Sequence, residues 1–312
     1  GTAGFDDTGL SGLEQAWNPM LDGRDGHVRY RRSRSGRELW IAPGDHVPPR
    51  DGAEIRLSID LVVQRIAEDA LRRAVGSVNA QGGRIVVADP RTGELLAAFD
   101  MLQHRTDPET IFAGHRARLD PDAPPLVART SRLVAEPYEP GSTFKPFVWA
   151  ILTEDGHARP DERLDTPAGP PGQRFGRRIV RDAYYYGPSD WRTVLVKSMN
   201  SGMGIVAERA SHERLRDRVR DFGFGEPTRI GLFAESPGTV RPPAQWTKYT
   251  QVSVSMGHEI AVTPLQMVRA FMAFCRDGTI PALTLLAADE PVPGAAAGGA
   301  VLTLDGKPLV YG

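Results

Sequence analysis

The sequence predicts an α+β fold, and three patterns in it carry that expectation. A β-hairpin is written into "GGRIVVADPRTGELLAAFD", where apolar strands flank an Asp89-Pro90-Arg91-Thr92-Gly93 turn. A helix is written into "VTPLQMVRAFMAFCRDG", with Thr263 as N-cap, Pro264 at N1, Gln266 at N3 and Gly278 past the end. A second helix follows Pro140-Gly141, and its residues Phe144, Phe147, Val148, Ile151 and Leu152 are too apolar to face water.

The remaining elements follow in chain order. Residues 1–52 are polar and rich in Arg and Gly; "HVRYRRSRSGRELWIA" has a short hairpin pattern around Ser35-Gly36, and "PGDHVPPRDG" reads as a linker. In "AEIRLSIDLVVQRIAEDALRRAV" a short strand runs into a helix. Asp60 is its N-cap, and Leu61, Val62, Ile66, Ala67 and Leu71 are expected to face a core. Residues 101–137 and 157–188 read as turn-rich excursions, the second containing Tyr184-Tyr185-Tyr186. "SDWRTVLVKSMNSGMGIVAERA" gives two helical stretches broken near Ser198–Gly202. Cys275 falls in the last turns of the helix beginning at 264 and is expected to be a packing residue. Beyond 279 only a weak "AVLTLDG" strand pattern survives.

Composition narrows the function. A chain of 312 residues suffices for one large domain and a fragment of another. A net charge of −1 excludes nucleic-acid binding driven by phosphate attraction. Cys275 is the single cysteine, so neither an intrachain disulfide nor a cysteine-based metal site can form. The seven histidines lack metal-ligand spacing, and His258-Glu259 has no second histidine four residues on, which makes it structural or solvent-facing. No metal and no cofactor is expected. No apolar run is long enough to span a membrane and no signal peptide opens the chain. The start "GTAGFDDTGLSG" reads as a cut or a tag scar, with a preceding anchor removed.

The chemistry is concentrated in Ser142-Thr143-Phe144-Lys145. Three residues apart in a first helical turn, the Ser142 hydroxyl and the Lys145 amine project about 60° from each other, close enough for proton transfer. Unpaired N–H groups and the helix dipole at that end favour an attacking alkoxide and its oxyanion. The same positive end and the apolar neighbours should lower the pKa of Lys145, making it a usable general base near pH 7. That is the chemistry of acyl transfer. The competing reading is a surface lysine at a helix start. Only four of the 38 basic residues are lysines, which makes a chance Ser-x-x-Lys uncommon. Ser198-Met199-Asn200 offers a hydroxyl to relay a proton and a carboxamide to hold a substrate carbonyl or a lysine. Ser77-Val78-Asn79 has the same spelling, but it follows a helix upstream of Ser142 and reads as a plain helix terminus.

Ser-x-x-Lys followed by Ser-x-Asn is the motif pair of penicillin-binding proteins and serine β-lactamases, with Lys-Thr-Gly as the usual third member. The chain resembles class B penicillin-binding proteins along nearly its whole length. "GLSGLEQAWNPMLDGRDG" is similar to the end of their N-terminal pedestal. "IRLSIDLVVQRIAEDAL", "VVADPRTGELLAAFD", "YEPGSTFKP", "FGFGEPTRIGLFAESPG" and "VTPLQM" are similar to their transpeptidase domain, in the family's order. "YEPGST" leans toward the septal, cell-division branch rather than the elongation branch.

The resemblance implies an antiparallel sheet with helices on both faces. It divides the chain into residues 1–52, the end of a non-catalytic pedestal and its linker, and residues 53–312, the transpeptidase domain. It implies that Ser142 is the acylated nucleophile, Lys145 its base, Ser198 the proton relay to the leaving amine and Asn200 the holder of the acceptor side. Implied partners are peptidoglycan stem peptides, β-lactam antibiotics, a membrane glycosyltransferase and division or elongation proteins, with no nucleic acid. The implied location is the periplasmic face of the cytoplasmic membrane, held by an N-terminal segment missing from this chain. One departure stands out: no Lys-Thr-Gly follows "VTPLQM", the only late lysine being Lys307. The expectation is a sequence cut short of that strand. Two rivals are a serine β-lactamase or β-lactam sensor, since "STFK" also occurs in class D enzymes, and an inactive scaffold that binds a cell-wall glycosyltransferase. The first is disfavoured by the pedestal-like segment, "VTPLQ" and Asn200, where class D carries an apolar residue. The second rests on the missing third motif.

Overall fold

The computed structural model describes residues 2–3, 8–29, 31–32, 34–35, 38–40, 44, 46–102 and 131–287. The "AVLTLDG" pattern, Lys307 and residues 103–130 of the first excursion lie outside them.

Strand β1 (Thr2–Ala3) pairs antiparallel with β2 (Gly9–Ser11), which leads into α1 (Gly12–Ala16) and α2 (Asn18–Leu21). Two hairpins are then nested: β3 (His27–Val28) pairs with β6 (His46–Val47), and between them β4 (Arg31–Arg32) pairs with β5 (Glu38–Trp40). The inner pair is the expected hairpin around Ser35-Gly36. The expected linker at 43–52 is corrected, because it doubles back as β6 and continues the ladder through an Arg24–Arg50 bridge.

Helix α3 (Leu61–Ser77) begins where Asp60 predicts, its carboxylate accepting the N–H groups of Val62 and Val63. Its core face matches the expected one at Ala67 and at the half-buried Leu71, but not at the other three positions. Ala67 and Val75 are buried, whereas Leu61, Val62 and Ile66 are 63–75% exposed. The sheet lies under the Gln64, Ala67, Leu71 and Val75 side of the helix, and Gln64 reaches down to bond both the N–H and the C=O of Ala98. The predicted hairpin forms as β7 (Gly82–Ala88) and β8 (Leu95–Leu102), paired from Gly82↔Leu102 to Ala88↔Leu95. Residues 284–287, where no element was expected, bond to both 93–95 and 56–58. Leu283 and Leu285 thereby join Leu95, Leu133 and Leu265 in a core onto which Leu13 and Trp17 also pack.

After α4 (Arg132–Ala135), a 3₁₀ turn (Gly141–Phe144) runs directly into α5 (Lys145–Glu154), with Pro146 tolerated in the first turn. Phe144, Phe147, Val148, Ile151 and Leu152 are fully buried, as expected, and form the centre of the larger core. Phe147 packs edge-on against Phe222 and Phe224 at 5.1 and 5.2 Å. The second excursion holds more structure than its turn-rich sequence suggests. Strand β9 (Arg163–Leu164) pairs with β12 (Ser189–Asp190), and β10 (Gln173–Phe175) pairs with β11 (Arg178–Val180).

Helices α6 (Trp191–Val196) and α7 (Asn200–Ala207) meet at a corner at 197–199, so the break is narrower than expected and Gly202 lies inside α7. There its missing side chain lets α6 approach: a Cβ on Gly202 would sit 2.3 Å from a Val194 methyl. Gly202→Ala should therefore destabilise the fold by about 1–3 kcal/mol through overpacking, read as a lower denaturant midpoint at unchanged slope.

Helices α8 (His212–Asp221), α9 (Thr250–Ser255) and α10 (Pro264–Phe271) complete the helical layer. The Thr263–Gln266 capping box of α10 is as predicted. Cys275 is a correction: it lies in the 3₁₀ turn after α10 and is exposed rather than packed. Among the described residues no helix is long and apolar enough to cross a membrane.

Candidate active site

Ser142 sits on the 3₁₀ turn at the mouth of α5, and the turn is pinned from one side by residues 257–262. Tyr138 and Val262 exchange both backbone hydrogen bonds at 2.9 Å, and the Gly141 N–H donates to Gly257 O at 3.0 Å. Gly141 has φ +55°, and a Cβ on Gly257 would lie 2.0 Å from Gly141 O, so both glycines are needed for this approach. Glu139 adds a staple, accepting the Glu259 N–H at 2.9 Å and meeting His258 Nδ1 at 3.1 Å. His258-Glu259 is thus structural and partly solvent-facing, as expected. The Ser142 side chain is exposed, and its hydroxyl has no hydrogen-bond partner among the described residues. Phe144 beneath it is buried and fixes the turn to the core.

Lys145, one turn deeper, is 1% exposed. Its amine donates to Ser198 O at 2.6 Å, to Asn200 Oδ1 at 2.6 Å and to Ser198 Oγ at 3.1 Å. Three acceptors match the three donors of an ammonium. Burial lowers its pKa from 10.5 to about 8, with the nearby Asp182 carboxylate pulling the other way. Desolvation, rather than the helix terminus, is the main cause. The amine makes no hydrogen bond to the Ser142 hydroxyl. Losing one proton frees a lone pair that can turn toward Ser142.

Ser198 occupies the corner between α6 and α7 with φ +54°, a conformation that points its carbonyl and hydroxyl at the same amine. The fold therefore brings Lys145, Ser198 and Asn200 into contact, with Ser142 on the turn that leads into Lys145. Ser77 and Asn79 are elsewhere: Ser77 Oγ bonds Ala74 O at the end of α3, and Asn79 has the positive φ of a helix terminus. Sequence reasoning missed Asp182, an acid that is 7% exposed and bonded to Ser201 beside the Ser198 corner. An aspartate before three tyrosines in a turn-rich stretch carries no periodic or motif signal. Among the described residues no group of His, Cys, Asp and Glu could hold a metal ion.

The penicillin-binding protein transpeptidase domain matches residues 83–297, and the chain belongs to that family. It is 31% identical over 282 residues to "Probable peptidoglycan D,D-transpeptidase PenA" of Neisseria meningitidis, covering 90% of this chain and 46% of that protein. It is 32% identical over 279 residues to penicillin-binding protein PbpB of Mycolicibacterium smegmatis, covering 88% and 40%. The chain thus spans less than half the length of these relatives. Among solved structures, penicillin-binding protein 3 of Mycobacterium tuberculosis in complex with aztreonam superimposes with a TM-score of 0.71. The identity is 28%, over 92% of this chain and 57% of that one. A peptidoglycan synthetase of Bifidobacterium adolescentis superimposes with a TM-score of 0.74 at 25% identity, over 92% and 50%. The class B resemblance and the α+β transpeptidase fold read from the sequence are borne out.

Proposed function

We propose that this chain carries the acyl-transfer site of a peptidoglycan D,D-transpeptidase and a target of β-lactams. The observation that carries this reading is the buried Lys145 amine, held by Ser198 and Asn200 three residues from the exposed Ser142 hydroxyl. Ser142 Oγ attacks the penultimate D-Ala carbonyl carbon of a stem peptide, and its proton passes to neutral Lys145 as the O–C bond forms. The Ser142 backbone N–H, in the first turn, supplies one donor to the oxyanion. Collapse of the tetrahedral intermediate breaks the C–N bond. The Lys145 proton reaches the departing D-Ala amine through Ser198 Oγ. An amine of a second stem peptide then attacks the acyl-enzyme, restores the Ser142 hydroxyl and completes the cross-link. The Asn200 amide orients the lysine and borders the acceptor side.

The relatives' names, PbpB and stage V sporulation protein D of Bacillus subtilis, support a septal role; a membrane glycosyltransferase and division proteins are the partners this reading proposes. The family supports an extracytoplasmic location with the whole protein anchored in the cytoplasmic membrane. Residues 1–52, with their nested hairpins, are read as the end of the pedestal, and 53–312 as the transpeptidase domain. Labelling with fluorescent penicillin tests the reading: a stable adduct supports it, rapid turnover favours a β-lactamase, and no labelling favours a scaffold. Asn200→Ala should slow acylation about 10-fold or more by releasing Lys145, while Asn79→Ala should leave the rate unchanged. Stopped-flow acylation kinetics compares them, and equal effects would mean that the wrong Ser-x-Asn has been assigned.

A further inference from the structure

The chain leaving β11 runs past the first turn of α7 and grips it through two successive residues. Arg181 O accepts Asn200 Nδ2–H at 2.9 Å. With its amino group committed there, the carboxamide must turn Oδ1 the other way, where it meets Lys145 Nζ at 2.6 Å. One residue on, Asp182 uses both carboxylate oxygens on Ser201: Oδ1 accepts the backbone N–H at 2.9 Å and Oδ2 accepts the hydroxyl at 2.5 Å. Ser201 is fully buried and Asp182 nearly so, which leaves water little room to replace either bond. The Ser201 N–H is a first-turn donor without an intrahelical partner, and a carboxylate suits it best. No step of acyl transfer uses this buried acid.

We propose that Asp182 is a positioning residue of the acyl-transfer site. Through Ser201 it locks the first turn of α7, and with it the Asn200 carboxamide and the Ser198 corner, in the register that receives the Lys145 amine. It touches no reacting atom and acts through Asn200 and Ser198. The inference rests on the transpeptidase reading for its consequence on rate, but not for the geometry it asserts. Asp182 also brings a negative charge toward Lys145, on a segment that carries Arg181 beside it and Arg178 bonded to Ser253 of α9. Helices α7 and α9 carry no charged side chain, the Ser198 corner adds Lys197 over the Tyr186 ring, and α6 adds the exposed Arg192. Glu154, at the far end of α5, is paired with Arg218 of α8, and Asp155 beyond it with Arg214. Anchor and charge are separable by substitution. Asp182→Asn removes the charge but keeps an oxygen for the Ser201 N–H and offers the Ser201 hydroxyl an amide donor. Asp182→Ala removes both.

Two measurements on the full chain test this: penicillin acylation resolved into a saturating rate and a pre-acylation dissociation constant, and the ¹³Cε lysine spectrum. With only four lysines in the sequence, that spectrum is sparse. Asp182→Ala should lower the saturating rate about 10-fold or more while the dissociation constant stays within about threefold, the signature of a displaced catalytic group. It should also move the Lys145 resonance and leave Lys248, which lies outside the released corner, in place. Asp182→Asn should recover the rate to within about threefold and bring the resonance back toward wild type. A folded Asp182→Ala protein with wild-type rate and resonance would overturn the proposal, and so would an Asn variant as slow as the Ala variant. If Asp182→Ala does not fold, Ser201→Ala decides. It removes the hydroxyl half of the anchor and should slow acylation about two- to fivefold with a shifted Lys145 signal; no change in either sinks the idea. Failure of the wild-type chain to acylate would instead count against the transpeptidase reading, with the Lys145 resonance still testing the anchor.

Discussion

Ser142→Ala is expected to abolish covalent labelling by penicillin while leaving the protein folded. The two halves of that expectation have separate physical grounds. The Ser142 hydroxyl is exposed and unpartnered among the described residues, so its removal strands no buried donor or acceptor. The turn that presents it is held by backbone bonds from Tyr138 and Gly141 and by the buried Phe144, none of which involves the side chain. The thermal midpoint should therefore stay within about a degree or two of wild type, as for surface changes away from special features. The chemical half is all-or-none, because alanine has no atom to bond to the β-lactam carbonyl carbon. In serine hydrolases, removal of the nucleophile costs about 10⁶ in kcat, far below what intact-protein mass spectrometry would register as an adduct. An adduct on the alanine variant, or one mapped by peptide analysis of the wild type to any residue other than Ser142, would remove the central assignment.

Much of this site was legible because its residues are local in sequence. Ser142 and Lys145 are bound to one helix start, and the Pro140-Gly141 entry and the apolar run behind it announce that start without tertiary information. The caps at Asp60 and Thr263 and the hairpin at 82–102 are local in the same sense. What the sequence hid depends on long-range placement. The face of α3 is legible only in part, because apolar spacing does not say how wide a stripe the sheet will cover; the sheet takes Ala67, Leu71 and Val75, and Leu61, Val62 and Ile66 are left out. Residues 284–287 look like irregular chain because their pairing partners are at 56–58 and 93–95, some 190 to 230 positions away. Asp182 was hidden for the same reason. Its significance lies in Ser201, nineteen residues on, and in an amine on another helix. Even Lys145 shows the limit: its burial and lowered pKa were foreseen, but its contacts with Ser198 and Asn200 are set by how α7 meets α5.

Lys145→Arg should be nearly as damaging as Lys145→Ala, although it preserves the charge. A guanidinium stays protonated throughout the accessible pH range and cannot take the Ser142 proton. It is also larger than the ammonium in a pocket where the native side chain is 1% exposed. The alanine variant fails differently, leaving Ser198 O and Asn200 Oδ1 without their shared donor, at about 1–3 kcal/mol for each buried acceptor that water cannot reach.

The pH dependence follows from the lowered pKa of Lys145, about 8. At pH 7 roughly one molecule in ten carries the neutral amine. Wild-type acylation should accordingly climb nearly tenfold per pH unit below about 8 and flatten above it. Neither variant should show this limb. Stability should respond with a fixed sign as well. The native amine holds its proton less tightly than the unfolded one, whose pKa is near the ordinary 10.5. The group therefore favours the folded state most above pH 10.5, and that contribution is lost as the pH falls through about 8. Denaturation of wild type and Lys145→Ala compared across this window should show the slope in the first and not in the second. An Arg variant that acylates within a few-fold of wild type, with the rising limb intact, would remove Lys145 as the base and leave Ser142 without its proton acceptor.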